Sequence, residues 1–431
     1  MKKVNIITLG CAKNQVDSEA LTSQITANEI EVTDDLGKAN IAIINTCGFI
    51  EDAKKQSIET ILETLKLKKE GKLEKVYVMG CLSERYHSEL TKEIPEVDRF
   101  FGSHEQPTIL NALGGNYKYE LIGERSLSGP AHTAYLKISE GCNHPCSFCA
   151  IPLMRGKHQS KTVEQIMDEV MRLVAKGVKE MILIGQDTTY YGLDVYGERK
   201  LASLLTSLAS IEQLEWIRLM YAYPAQFPLD VLDVIADSPN ICKYIDMPVQ
   251  HASDNVLKSM RRGITRRATE DLIGKIRSRV PGIALRTTII VGYPNETEKD
   301  FNELMEFMRG VRFDRLGVFT YSQEDRTSAF PLADPIPQRE KEARRSLLME
   351  TQKEISRQTN EAQVGRTVRT LIERFEDGTY VGRTERDAPE IDNEVFIGPP
   401  AGTRVPLGHF ADVLITDATD YDLYGEFQKL Y

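Results

Sequence analysis

Three short apolar runs open the chain, and each is followed by residues with helical spacing. Val4 to Leu9, Ile41 to Asn45 and Val76 to Met79 read as strands, while SEALTSQITANEI and EDAKKQSIETILETLKLKKEGKL read as helices. The second helix places Ile58, Ile61, Leu62 and Leu65 on one stripe. Asp17-Ser18-Glu19 stands where the first helix is expected to begin, and Asp17 is expected to cap its free N–H groups. Residues 1–122 are therefore expected to form an open parallel β/α domain. GERSLSGPAH, rich in Ser and Gly, is expected to be a linker.

The alternation continues through residues 131–335. TAYLKIS, EMILIG, LEWIRLM, CKYIDMPV, IALRTTIIVG and LGVFTYS read as six strands, separated by helical segments such as TVEQIMDEVMRLVAKGV. This pattern predicts a parallel β/α sheet, open or curled into a partial barrel, with functional loops at the carboxyl ends of the strands. Residues 336–364 read as a charged connecting helix. From 365 to 431 the texture changes to short strands, TVRTLIERF, TYVGRT, EVFIG and FADVLITDA, as in a small β-barrel. The class is α/β, and 431 residues accommodate this division, since domains run to about 100–200 residues each.

A net charge of −10 excludes a generic polyanion binder. Residues 365–431 carry seven Lys plus Arg and thirteen Asp plus Glu, a net charge of −6. Such a barrel repels phosphates and favours a basic polypeptide, unless the acids only form a solvated surface. The chain has no apolar run of about 18 residues, and the segment after Met1-Lys2-Lys3 lacks a signal-peptide pattern. A cytoplasmic protein without a membrane partner is expected. Seven cysteines are too sparse for a disulfide scaffold, so in a reducing compartment they read as metal ligands or redox thiols.

Cys142, Cys146 and Cys149 form C-x3-C-x2-C in EGCNHPCSFCAIP, a polar loop in which three thiolates can converge on one cluster. A structural zinc is the alternative, with His144 or His158 as its fourth ligand. A three-thiolate site, by contrast, leaves one iron of a four-iron cluster free. Cys11, Cys47 and Cys81 each follow a predicted strand. Loops leaving the carboxyl ends of parallel strands line one crevice, so these cysteines can meet as a second cluster site, although a lone buried Cys is usually apolar filler. Cys242 reads as such a filler.

The central trio, with Phe148 before its last cysteine, resembles the radical S-adenosylmethionine signature. With Cys11, Cys47, Cys81 and the terminal barrel, the whole chain looks like the methylthiotransferase family, whose barrel is a TRAM domain. LGCAKNQVDSE and AIPLMRGKHQS resemble the branch that modifies ribosomal protein S-twelve, rather than the transfer-RNA branch. GQDTTYYG and PVQHASD also look like this family; Asn295 in GYPNET departs from it, relatives commonly having Gly there.

The resemblance implies two 4Fe-4S clusters, an auxiliary one on Cys11, Cys47 and Cys81 and one that cleaves S-adenosylmethionine on Cys142, Cys146 and Cys149. It implies S-adenosylmethionine as both methyl donor and radical source, and methylthiolation of the β-carbon of an aspartate in ribosomal protein S-twelve, free or in the small ribosomal subunit. An external electron donor and a sulfur source are then required. Gln186 and Gln250 are candidate S-adenosylmethionine contacts, ordinary loop hydrogen bonding being the alternative. Arg155 and Lys157 are candidates to neutralise cluster or cofactor charge. The competing readings are a transfer-RNA adenosine methylthiotransferase and a non-catalytic iron–sulfur electron carrier.

Overall fold

The computed structural model describes residues 2–400 and 404–431. Strands β1 (Lys3–Thr8), β2 (Glu31–Val32), β3 (Ile41–Thr46), β4 (Lys75–Gly80) and β5 (Arg99–Phe100) form an all-parallel sheet in the order β2-β1-β3-β4-β5. In this order the winding reverses between β1 and β3, which opens a crevice at their carboxyl ends. Thr8 pairs with Asn45 and Thr46 with Gly80, so the three strands end at one level. The helix Glu51–Lys69 packs Ile58, Ile61 and Leu65 against the face bearing Ala42, Ile44, Val76 and Val78. Leu62, expected on that stripe, is 46% exposed because the stripe runs through Thr64 instead.

The first helix begins earlier than its hydrophobic pattern suggests, at Ala12, and runs to Ala27. Asp17 therefore lies inside the helix and is not its cap. It pairs with Lys137 and with Arg155, whose Nη1 donates to it at 2.6 Å. The pattern fails here because the helix is buried on opposite sides. Its outer side faces the central domain through Asp17, Glu19 and Gln24, which are satisfied by partners there or in the connecting segment. Arg125 in the Ser- and Gly-rich connection bridges Glu19 at 2.5 Å and Glu169 at 3.2 Å, so that segment is pinned.

In the central region, β6 (Thr133–Lys137) is followed by a small ribbon in which β7 (Ser139–Glu140) pairs antiparallel with β8 (Gln159–Ser160). Strands β9 (Glu180–Ile184), β10 (Trp216–Leu219), β11 (Ile241–Asp246), β12 (Ala284–Val291) and β13 (Arg315–Thr320) then join β6 in an open, all-parallel sheet in sequential order. Because sequential right-handed crossovers stay on one side, the helices cover one face. Met181, Leu183, Ile217, Leu219, Ile245 and Leu285 point into that layer. The alternate residues, Ile182, Ile184, Trp216, Tyr244 and Ala284, meet Val16 of the first helix and Leu371 and Phe410 of the terminal barrel. Cys242 is buried in the same cluster as a small apolar side chain. Asn295 occupies a turn without positive φ, so glycine's freedom is not required there.

The helix Gln338–Glu361 leads to a closed barrel of β14 (Thr367–Glu376), β15 (Thr379–Thr384), β16 (Val395–Ile397), β17 (His409–Ala418) and β18 (Leu423–Leu430). The last strand was absent from the sequence reading because only Leu423 and Gly425 of it are buried and its polar outer face breaks the apolar pattern. Several barrel acids are also not free surface. Asp387 pairs with Arg315 at 2.6 Å, Asp392 faces Arg286 at 3.3 Å, and Arg383 reaches Glu180 of β9 at 2.5 Å. Part of the −6 charge thus holds the barrel on the central sheet. Among the described residues no helix is long and apolar enough to cross a membrane.

Candidate active site

Cys11, Cys47 and Cys81 leave the aligned ends of β1, β3 and β4, at the crevice of the first sheet. Cys11 is exposed and stands at the N-cap of the helix Ala12–Ala27. Gly10 has φ +92°, and a Cβ there would lie 2.7 Å from Cβ of Cys47, so only glycine lets the two cysteine loops approach. The backbone N–H of Cys47 donates to Ser57 Oγ at 3.1 Å, and that hydroxyl donates back to its carbonyl at 3.0 Å. Cys81 opens a short helix, Cys81–Arg85, and is buried. Burial pushes its thiol up to about 11, against the pull of Arg155.

Arg155 comes from the central domain, in the segment after the second trio. Its Nε donates to Cys81 Sγ at 3.2 Å, while its other nitrogens bind Asp17, Glu140 and Asn14. Burial alone would raise Glu140, but Lys137 and Arg155 hold it down at about 2. The sequence-based expectation that Arg155 neutralises charge thus has a specific location, the first trio. Lys157 is exposed and makes no such contact among the described residues.

The second trio lies on the loop between β7 and the helix Ile151–Arg155. The backbone N–H of His144 donates to Cys142 Sγ at 3.4 Å, and Arg262 Nη1 donates to Cys146 Sγ at 3.3 Å. Burial drives the Cys142 thiol to about 11 and Cys149 to about 12. His144 is stacked on Tyr223 with ring centres 3.7 Å apart and bonds Asp187 at 2.6 Å, while His158 bonds Ser160 at 3.0 Å. Both candidate fourth ligands of the zinc alternative thus hold other partners through Nε2.

All six cysteines line one cavity of about 470 Å³. The two trios therefore share a single chamber and not separate pockets. Gln186 and Gln250 line it as well, and the amide oxygen of each is buried without a partner. Gln186 donates its amide N–H to Glu140 at 2.6 Å, and Gln250 sits at φ +74°. Lys13, Arg155, Arg262 and Arg286 surround the chamber, against Asp246 as the carboxylate lining it. Its mouth carries exposed Phe49, Phe319 and Ile391, one from each of the three sheet-bearing regions.

The donor chemistry of the lining, six thiols with cations beside them, is that of a site for an anionic iron–sulfur group. Buried neutral thiols must lose protons to bind metal, and Arg155 and Arg262, which donate to Cys81 and Cys146, offset the charge that remains. Orphaned acceptors on Gln186 and Gln250 await donors that a polar cofactor carries. The sequence reading missed Lys13, Tyr221, Tyr223, Asp246, Arg262 and Arg286. Arg286 did leave a signal, since it is the one charge of its strand.

The Radical SAM superfamily model matches residues 136–308, Uncharacterized protein family UPF0004 matches 3–102, and the TRAM domain matches 364–427. The ribosomal protein uS12 methylthiotransferase RimO of Cytophaga hutchinsonii is 54% identical, covering 99% of this chain and 98% of its own. The proteins of that name from Chloroherpeton thalassium and Flavobacterium johnsoniae are 53% and 52% identical, each alignment covering 98% of both chains. The radical S-adenosylmethionine methyltransferase TsrM of Kitasatospora setae shares the fold at TM-score 0.55, with 14% identity and 77% of each chain covered. With half its residues identical to these relatives from end to end, and with a radical S-adenosylmethionine model matching its central region, the chain belongs to the RimO family of radical S-adenosylmethionine methylthiotransferases.

Proposed function

We propose that this protein transfers a methylthio group to the β-carbon of an aspartate in ribosomal protein uS12, using two 4Fe-4S clusters and S-adenosylmethionine. The observation that carries this reading is the single chamber lined by both cysteine trios. One substrate side chain entering it would lie within reach of both. When bound, the clusters and S-adenosylmethionine supply electron transfer, activation of an unreactive C–H bond and a sulfur source.

The chain's own residues account for the rest. Cys142, Cys146 and Cys149 would hold the cluster that engages S-adenosylmethionine, and Arg262 donates to Cys146 there. Cys11, Cys47 and Cys81 would hold the auxiliary cluster, with Arg155 against Cys81. Each trio leaves one iron of a four-iron cluster without a protein thiolate. Gln186 and Gln250 would offer their unpartnered oxygens to S-adenosylmethionine. Phe148 and Ile151 give the chamber apolar walls, and Phe49 and Phe319 stand exposed at its mouth. An external electron donor is needed, and the cytoplasm, where ribosomes work, is the proposed location.

The test is to incubate the reconstituted protein with uS12 and, separately, with transfer RNA. A gain of about 46 mass units on an aspartate-containing peptide, sulfur plus methylene, is expected. A methylthio group on a transfer-RNA adenosine would favour the rival branch. No 5′-deoxyadenosine from the reduced protein would favour an electron carrier, which has no use for a chamber of this size.

A further inference from the structure

Among the described residues, Lys13 is the cation of the chamber whose charged group meets no hydrogen-bond acceptor. Arg155 is committed to Asp17 and Glu140, Arg286 to Asp246 at 3.0 Å, and Arg262 to Cys146 and the Pro248 carbonyl at 2.6 Å. Lys13 lines the same chamber and is only 8% exposed, yet among the described residues its ammonium makes no ion pair or hydrogen bond. Its contact is the face of Tyr221, 3.0 Å from the ring centre.

That placement is costly on three counts. The ammonium is desolvated, it lacks a counter-charge, and it sits in the first turn of a helix, where the dipole disfavours cations. Tyr221 adds strain of its own, with φ +58°, a left-handed conformation that bulky residues rarely adopt. Its backbone N–H is held by Asp246 at 3.2 Å and its carbonyl by Thr188 N–H at 3.1 Å. Strained, over-determined packing that presents an unpaired cation to a cavity is the arrangement of a binding site for an anion.

We propose that Lys13 binds the carboxylate of the target aspartate and so orients the modified side chain beside the Cys11 trio. This rests on the uS12 methylthiotransferase reading. An aspartate carries its carboxylate directly on the β-carbon, so an ion pair there would fix the reacting carbon. It would also reject the neutral asparagine, since a site built for a charged partner discriminates strongly against its uncharged isostere.

The test measures binding of synthetic uS12 peptides, one carrying the target aspartate and one with asparagine in its place, to the anaerobically reconstituted full-length chain. The wild type is expected to prefer the aspartate peptide by about tenfold, Lys13→Met to bind both peptides alike, and Lys13→Arg to restore the preference. The ratio within each variant is independent of how much of it folds. An unchanged ratio in Lys13→Met overturns the proposal, and if that variant instead binds S-adenosylmethionine more weakly, the cation serves the cofactor's carboxylate. A wild type that modifies the aspartate peptide while Lys13→Met keeps its ratio sinks this proposal alone. A wild type that neither binds nor modifies the peptide sinks the functional reading beneath it.

Discussion

Individual side chains divide the labour between the trios. Replacing Cys146 with Ala is expected to abolish 5′-deoxyadenosine formation, whereas Cys47→Ala should spare it and stop sulfur insertion; equal loss of cleavage in both variants would contradict separate roles. Arg155 ties the auxiliary trio to the central domain, because it touches Cys81 while closing a buried network with Asp17 and Glu140. Removing one member of a buried charge network costs about 3–5 kcal/mol, and Arg155→Met should fall near the lower end because Lys137 still faces both acids. Chemical denaturation measures that loss, and iron analysis should show the auxiliary cluster depleted first. At this scale the sequence disclosed the six cysteines, because thiolate spacing is a local signal. It did not disclose Lys13 or Tyr221, whose meaning arises only when the first helix docks against the end of β10.

At the scale of elements, the alignment of three strand ends is what gathers cysteines separated by more than thirty residues. The loops that carry them tolerate little change. Gly10→Ala places a Cβ against Cys47 and forces an L-residue to φ +92°, so a loss of about 1–3 kcal/mol and of auxiliary iron is expected. Thr162→Ala is the contrasting case. Thr162 and Gln165 form a reciprocal cap on the helix Val163–Ala175, away from the chamber, and its removal should cost about 1 kcal/mol while leaving iron content unchanged. Thermal melts alongside metal analysis separate the two outcomes. The three longer strands of the first sheet and all six of the second were legible because buried parallel strands are continuous apolar runs, whereas β2 and β5 are two residues each and leave no run to read. The start of the first helix and β18 were not, since one is polar where it meets another domain and the other is mostly exposed.

The whole molecule is assembled through buried ion pairs as much as through apolar surface. Glu180 at the start of β9 accepts from Arg218 at 3.0 Å and from Arg383 of the barrel at 2.5 Å. Burial alone would raise its carboxyl, but the two guanidinium groups hold it at about 2, below the ordinary 4.5. Its contribution is therefore full above pH 4.5 and is lost as the pH falls toward 2. Glu180→Gln is expected to weaken the protein at neutral pH and to flatten the pH dependence of stability across that window, as urea titrations at successive pH values would show. The acidic composition of the barrel was legible in the sequence, but its partial use as a docking surface was not, because composition does not tell which charges face inward. These contacts matter for function because they close the chamber: Ile391 at its mouth belongs to the barrel loop anchored by Asp387 and Asp392. The most direct measurement of the central claim is anaerobic quantification of iron and sulfide in the reconstituted chain and in its Cys47→Ala variant. About eight of each per chain, falling to about four in the variant with the S-adenosylmethionine-cleaving spectrum intact, is expected for two four-iron clusters on one chamber. About four in the wild type, or loss of all iron with Cys47, would contradict it.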